Sequence, residues 1–364
     1  MGSSSFRKAI GVVKDQTSIS IAKVSGNIAR DVEVLIVKAT GHNNEPPEEK
    51  YTREILNLTF YSTSYVNACI CTISKRLSKT HDWIVALKVL MLIHRLLDDG
   101  EPGFGEEMIH VNRNRTRVLN MSDFHDLVHS NSWEHSGFVK TYALYLTRKL
   151  EFMAFDQSIA NNSSHFEKVL ERLHHLLRVL DRVLSCRPTG DAKSSRIVII
   201  ALHLVLKESF RVYENVCEMI EVLLQGFSEM EYDIGVKAFD QFVYAAKMSD
   251  ELVGFYNWCE DIGVARSSEF PNVQKITDEI LGSLETFLSE RKIVYDNGKI
   301  DDIKAVPLPP PESHNKPPPA AMPTEDLLNL KDDANGRLQS VTQEDPFAAS
   351  LRVLPPLYMW KQYG

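Results

Sequence analysis

Proline placement constrains this chain of 364 residues more than any other feature: positions 46, 47, 102, 188 and 271 carry the only five of its 16 prolines before residue 304, and eleven follow. Proline lacks a backbone N–H and breaks helix interiors, so the long proline-poor part can build uninterrupted helices and the remainder cannot. The run VPLPPPESHNKPPPAAMP and the acidic patches after it cannot bury enough apolar surface to offset chain entropy. The folded body is therefore expected to end near Lys292, with domain bounds of 1–293 for the body and 294–364 for a disordered, Pro-rich tail.

Within the body the apolar spacing is helical. From Ser164, apolar residues fall at Phe166, Val169, Leu170, Leu173, Leu176, Leu177, Leu180, Val183 and Leu184, steps of three and four that make one face. Ser164 and Glu167 form an S-x-x-E capping box, and Pro188 with Gly190 stops the run. Similar patterns predict helices over Arg53–Leu77, Asp82–Leu97, Phe138–Phe155, Ser194–Leu224, Asp233–Gly263 and Asn272–Arg291. Trp83–Leu97 is apolar on nearly every side, so several neighbours must cover it. Strand alternation is absent. The expected fold class is all-α, a stack of helices joined by short loops.

With 43% hydrophobic residues the chain can bury a large core, and its net charge of −8 argues against whole-protein attraction to nucleic acid. The stretch Ile197–Leu206, interrupted by His203, is too short to cross a bilayer. Gly2 suggests myristoylation, but Phe6 stands where that signal wants Ser or Thr. Cys69, Cys71, Cys186, Cys217 and Cys259 are scattered without a CxxC pair and read as reduced, buried thiols, and residues 1–17 hold no apolar run of signal-peptide length, so a cytoplasmic location is expected.

Two chemistries compete. His81-Asp82, His94, Asp98-Asp99 and His125-Asp126 could supply the ligands of a helical metal-dependent phosphohydrolase. The plainer reading makes Asp82 and Asp123 helix N-caps and the histidines packed or hydrogen-bonded. No phosphate loop, nucleophile elbow or Cys/His pair supports catalysis, so no enzyme, metal or cofactor is expected. Arg7, Lys8, Lys14, Lys23 and Arg30 against Asp15 alone give the first thirty residues a local excess of cations that an anionic surface could engage. In the tail, Leu327-Leu328-Asn329-Leu330 and Asp345-Pro346-Phe347 are short apolar anchors in polar surroundings, of the kind that dock in grooves. The stretch Leu351–Trp360 reads either as a partner-binding segment or as an alternative terminus.

Several stretches together resemble the ANTH domain of monomeric clathrin assembly proteins, particularly those of plants: Lys38-Ala39-Thr40-Gly41-His42, Trp83-Ile84-Val85-Ala86-Leu87-Lys88 with His94-Arg95, Asn120-Met121-Ser122-Asp123-Phe124, and Phe138-Val139-Lys140-Thr141-Tyr142 with Tyr145-Leu146. The resemblance spans about residues 6–293 and implies a helical solenoid that binds phosphatidylinositol 4,5-bisphosphate and a tail that recruits clathrin. The family's head-group pattern, Lys, nine residues, Lys, any residue, Lys or Arg, then His or Tyr, returns Lys38, Glu48, Lys50 and Tyr51 here. Glu48 departs from it. The implied lipid site is Lys38, Lys50 and Tyr51, helped by Lys14, with Glu48 and Glu49 explained as first-turn carboxylates.

The resemblance also makes Leu327, Leu328 and Leu330 a clathrin box for the heavy chain, with Lys331 where an acid usually stands. Asp345, Pro346 and Phe347 match the tripeptide that enters an adaptor complex appendage. Vesicle SNAREs are implied as cargo on the later helices, and coated pits and vesicles at the plasma membrane or Golgi as the location. A helical scaffold without lipid affinity is the alternative that Glu48 keeps open. The roughly 34 residues between position 293 and Leu327 would give a flexible reach of roughly 30 Å.

Overall fold

The computed structural model describes residues 9–17, 19, 28–113, 118–158 and 164–304, with backbone alone at 28–29 and 294–304. The tail motifs at Leu327–Leu330 and Asp345–Phe347 and the stretch 351–364 lie outside the described residues. The described chain is helical without a strand. It comprises α1 (9–17), α2 (Ile28–Ala39), α3 (Glu49–Thr59), α4 (Thr63–Lys79), α5 (Trp83–Asp99), α6 (Pro102–Arg113), α7 (Trp133–Ser158), α8 (His165–Leu184), α9 (Arg196–Gln225), α10 (Tyr232–Asp261) and α11 (Asp278–Lys304). Contacts divide the chain into two units, Met1–Thr277 and Asp278–Gly364. In the second, α11 runs on to Lys304, past the 293 boundary expected from sequence; the first tail proline, at 307, comes only after it.

In the first unit each helix packs on its successors: α2 on α3 and α4, α4 on α6, α7 on α8, and α8 on α9 and α10. Helix α5 is the hub, touching α3, α4, α6, α7 and α9, and this explains its all-round apolar sequence: every residue from Trp83 to His94 is buried. Its entry is fixed by Asp82, whose carboxylate accepts from the Ile84 N–H at 2.9 Å. Asp123, the other expected N-cap, starts no helix. It lies in a turn, where Asn120 Oδ1 takes the Ser122 N–H instead.

The capping box is present as read: the Ser164 side chain accepts from the Glu167 N–H, and the Glu167 carboxylate accepts from the Ser164 N–H at 3.0 Å. Ser164→Ala should lower stability by about 1 kcal/mol. Thermal denaturation checks this, and an unchanged midpoint would mean the cap is frayed in solution. Gly190, beyond the helix, adopts φ 47°, a left-handed conformation that favours glycine, and a Cβ there would displace the Glu134 carboxylate.

Three expectations are corrected. Arg53–Leu77 is two helices, interrupted at Phe60–Ser62. Phe60 and Tyr61 donate to carbonyls three residues back, tightening the end of α3, and extended Ser62 opens α4. Helix α6, with Pro102 at its first position, escaped the periodicity reading because only Phe104, Gly105, Met108 and Ile109 are buried. Among the thiols, Cys69, Cys186 and Cys259 are buried, whereas Cys217 is intermediate and Cys71 is exposed on α4. Burial pushes the Cys69 thiol up to about 12, which keeps it protonated. Among the described residues no helix is long and apolar enough to cross a membrane.

Candidate functional site

Helix α2 runs into a turn whose carbonyls are claimed by cations. The Arg76 guanidinium donates to Thr40 O at 2.7 Å. The ammonium of buried Lys88 donates to Gly41 O (3.0 Å), Asn43 O (2.8 Å) and Asn43 Oδ1 (2.7 Å), using all three of its N–H bonds. Burial pulls Lys88 down to about 8, so a cation held there at neutral pH is retained by these oxygens. The result is a pinned loop between Lys38, in the last turn of α2, and the start of α3.

On that loop three of the four residues expected from sequence converge. Lys38 Nζ lies 5.2 Å and Lys50 Nζ 4.6 Å from the centre of the Tyr51 ring, and both ammonium groups are exposed. Glu48 does not serve the helix N-terminus as expected: it occupies the N-cap position of α3 without a side-chain cap and instead pairs with Lys50 at 2.7 Å. That hydrogen bond raises the Lys50 pKa and ties up half of the cation pair. Glu49 turns the other way, to Arg95 at 3.2 Å.

Lys14 stands elsewhere. It lines a cavity of about 700 Å³ together with Asp15 on α1, His42, and Lys75, Arg76 and Lys79 at the end of α4. Val37, beside Lys38, also lines it. Lys14, Lys75 and Lys79 are exposed, whereas Asp15 and Arg76 are mostly enclosed. Asp15 Oδ2 pairs with His42 Nδ1 at 2.6 Å and Oδ1 with Arg76 at 3.1 Å. Burial alone would raise the Asp15 pKa, but these partners hold it below the usual carboxylate value. Sequence reading missed the α4 cations, although Lys75-Arg76 and Lys79 recur at helical spacing in a last turn, where cations also complement the helix dipole.

The residues of the phosphohydrolase reading also meet, in different company. Asp82 and Asp126 come together with His129 rather than with His81 or His125. Both carboxylates are engaged by backbone N–H groups, Asp82 by Ile84 and Asp126 by Val128 and His129. His94 and Asp98 meet Glu208, but Lys149 sits between the carboxylates, 2.5 Å from Asp98 and 2.7 Å from Glu208, and Arg211 binds both. His94 is enclosed by Tyr142 and Tyr145, at 2.8 and 3.0 Å. At His94, Asp98 and Glu208, fixed ammonium and guanidinium groups thus fill the positions a cation would take.

By its fold the molecule is an all-α domain of consecutively packed helices, with cations gathered where α2, α3 and α4 end or begin. The family model of the ANTH domain matches residues 31–290, and the chain belongs to the ANTH domain family. It is 43% identical to the Arabidopsis thaliana protein named "Probable clathrin assembly protein At4g32285", over 97% of this chain and 69% of that one. It is 35% identical to clathrin coat assembly protein AP180 of Arabidopsis thaliana over 70% of this chain, but spans only 45% of that relative. Among solved structures, the ENTH domain from epsin-2 in complex with phosphatidylinositol 4,5-bisphosphate aligns with a TM-score of 0.45 and 15% identity, covering 69% of this chain and all of that one.

Proposed function

We propose that the protein is a peripheral, non-enzymatic clathrin adaptor that reads phosphatidylinositol 4,5-bisphosphate in a membrane and gathers coat components through its C-terminal segment. The observation that carries the lipid half is the convergence of Lys38 and Lys50 on Tyr51, beside a cavity edged by Lys14, Lys75 and Lys79. Clustered ammonium groups on a pinned loop suit phosphate oxygens, because they require little reorganisation on binding. Membership of the ANTH family and relatives named as clathrin assembly proteins support the coat half.

Glu48 weakens the cluster without closing it, since an exposed pair with Lys50 is readily exchanged for a more highly charged phosphate. Sedimentation with vesicles, with and without the bisphosphate lipid at low ionic strength, tests the reading. Equal pelleting with both would reject it in favour of a scaffold without lipid affinity.

For the coat, Leu327, Leu328 and Leu330 are assigned to the clathrin heavy chain and Asp345, Pro346 and Phe347 to an adaptor appendage, on sequence alone. Leu328→Ala/Leu330→Ala should reduce clathrin retained in a pull-down about tenfold, as expected when a short motif loses its buried anchors. Retention equal to wild type removes the motif; Phe347→Ala tests the appendage contact in the same way. Weak contacts at both ends would act together through effective concentration on a crowded surface. The working location is then the coated pit and its vesicles.

A further inference from the structure

Asp82 at the start of α5, and Asp126 and His129 in the segment between α6 and α7, differ from the His94 cluster in one respect: among the described residues, neither carboxylate is paired with a lysine or arginine. Lys88, whose charge Asp82 feels, spends its three N–H bonds on Gly41 and Asn43. His129 Nδ1 lies 3.0 Å from Asp126 Oδ2 and 3.8 Å from Asp82 Oδ1. One ring nitrogen donates one hydrogen bond, and the shorter distance gives it to Asp126. Asp82 Oδ2 is left buried without a partner, on a side chain only 1% exposed. An unsatisfied carboxylate oxygen in such a place is costly, so the cluster favours added positive charge.

The spacing suits a metal ion. Zn²⁺ holds nitrogen and oxygen ligands at about 2.0–2.2 Å in a tetrahedron, which sets neighbouring ligand atoms roughly 3.4 Å apart. The two Nδ1–oxygen separations bracket that value, and one ligand atom from each of the three residues lies within 4.8 Å of the others. The N–H groups of Ile84 on Asp82 and of Val128 on Asp126 leave lone pairs free and orient both carboxylates, as outer donors do around bound metals. Leu127 N–H donates to His81 O at 2.9 Å, so the loop already lies against the entry of α5. Asp82 lines the cavity of about 700 Å³, which gives an ion a route from solvent.

We propose that Asp82, Asp126 and His129 form a structural site for a divalent transition-metal ion, with Zn²⁺ the fitting member, that staples the loop before α7 to the start of the hub helix α5. A set of one imidazole and two carboxylates suits Zn²⁺. Mg²⁺ keeps several waters and Ca²⁺ takes six or more oxygens, and this enclosure provides for neither. The side chains of Asp126, Asp82 and His129 are 0%, 1% and 13% exposed, so the place admits an ion but no substrate. Binding takes the neutral imidazole, with Nδ1 free of its proton. The inference stands apart from the lipid reading, because none of its ligands belongs to the Lys38–Tyr51 loop.

The full chain, stripped with chelator and dialysed against Zn²⁺, should retain one equivalent by elemental analysis. Asp82→Asn keeps an acceptor for the Ile84 N–H and removes the charge, and His129→Gln keeps a side-chain donor and removes the imidazole. Each should weaken Zn²⁺ binding by about a hundredfold or more, measured in competition with a chromophoric chelator. Zn²⁺ should raise the thermal midpoint of wild type by several degrees and slow hydrogen exchange over residues 118–132, with neither effect in the variants.

Co²⁺ in place of Zn²⁺ should give the visible absorption of a nitrogen-and-oxygen site. A thiolate charge-transfer band instead would put the ion on a cysteine, such as exposed Cys71, and overturn the assignment. No retained Zn²⁺, or equal affinity in wild type and both variants, overturns the site. Stabilisation by Mg²⁺ equal to that by Zn²⁺ would show general charge screening and overturn it as well. If Asp82→Asn folds poorly, His129→Gln decides, since it leaves the cap of α5 in place.

Discussion

Lys149→Met should destabilise the protein by about 3–5 kcal/mol, because it leaves two enclosed carboxylates short of a cation. Lys149 on α7 lies 2.5 Å from Asp98 on α5 and 2.7 Å from Glu208 on α9, so one ammonium joins three helices. Arg211 also reaches both acids, but from a half-exposed position, and offsets only part of the loss. Urea denaturation of wild type and variant measures the effect, and a difference below about 1 kcal/mol would show that water or Arg211 takes over the role.

A companion variant separates charge burial from packing. In Lys149→Met/Glu208→Leu one orphaned acid is replaced by an apolar group, and the double variant should be more stable than Lys149→Met alone. The acid response has a definite sign. Burial would raise Glu208, but His94 and Lys149 outweigh it and bring it down to about 2, and they hold Asp98 below its usual range as well. Groups depressed on folding stabilise above their unfolded pKa and lose that contribution as pH falls through the folded one. Wild type should therefore lose stability between about pH 4.3 and 2. Lys149→Met should lose less over that window, since its carboxylates are no longer held so low.

Lys38→Glu/Lys50→Glu should weaken binding to vesicles containing phosphatidylinositol 4,5-bisphosphate by several hundredfold at low ionic strength. Each cation near an anionic leaflet contributes about fivefold, and two reversals remove two attractions and add two repulsions. The effects should be unequal. Lys50 is already paired with Glu48 at 2.7 Å, so its single reversal should cost less than that of Lys38. Glu48→Gln should tighten wild-type binding and enlarge the effect of changing Lys50. Raising the salt towards 1 M shortens the screening length to about 3 Å and should compress all of these differences. Sedimentation in which the double reversal pellets as wild type does would remove these residues from the lipid site.

Much of the fold was legible because helix signals are local. Ser164 and Glu167 are three residues apart, and Asp82 needs only the N–H of Ile84 to cap α5. The apolar circumference of Trp83–His94 announces a buried helix wherever its neighbours lie. Where local and distant terms compete, legibility ends. The chain turns at Phe60–Ser62 with both aromatics exposed, although the apolar spacing alone runs on through them.

The cationic edge divides in the same way. Lys38, Lys50 and Tyr51 could be found from spacing because they straddle one loop, and that loop is short. No spacing rule connects Asp15 with Arg76, or Lys149 with Glu208; those pairs are 61 and 59 residues apart. The amino-acid sequence by itself determined that the body is helical, that α5 and α8 open at Asp82 and Ser164, which of their faces are buried and that one end of the body is rich in cations, because those properties act over one or two helical turns. Only the tertiary structure decided that an acid from α1 enters the cleft and that Lys149 and Arg211 fill the space between Asp98 and Glu208. Coulombic and hydrogen-bond energies depend on distance through space, and packing of the helices sets that distance.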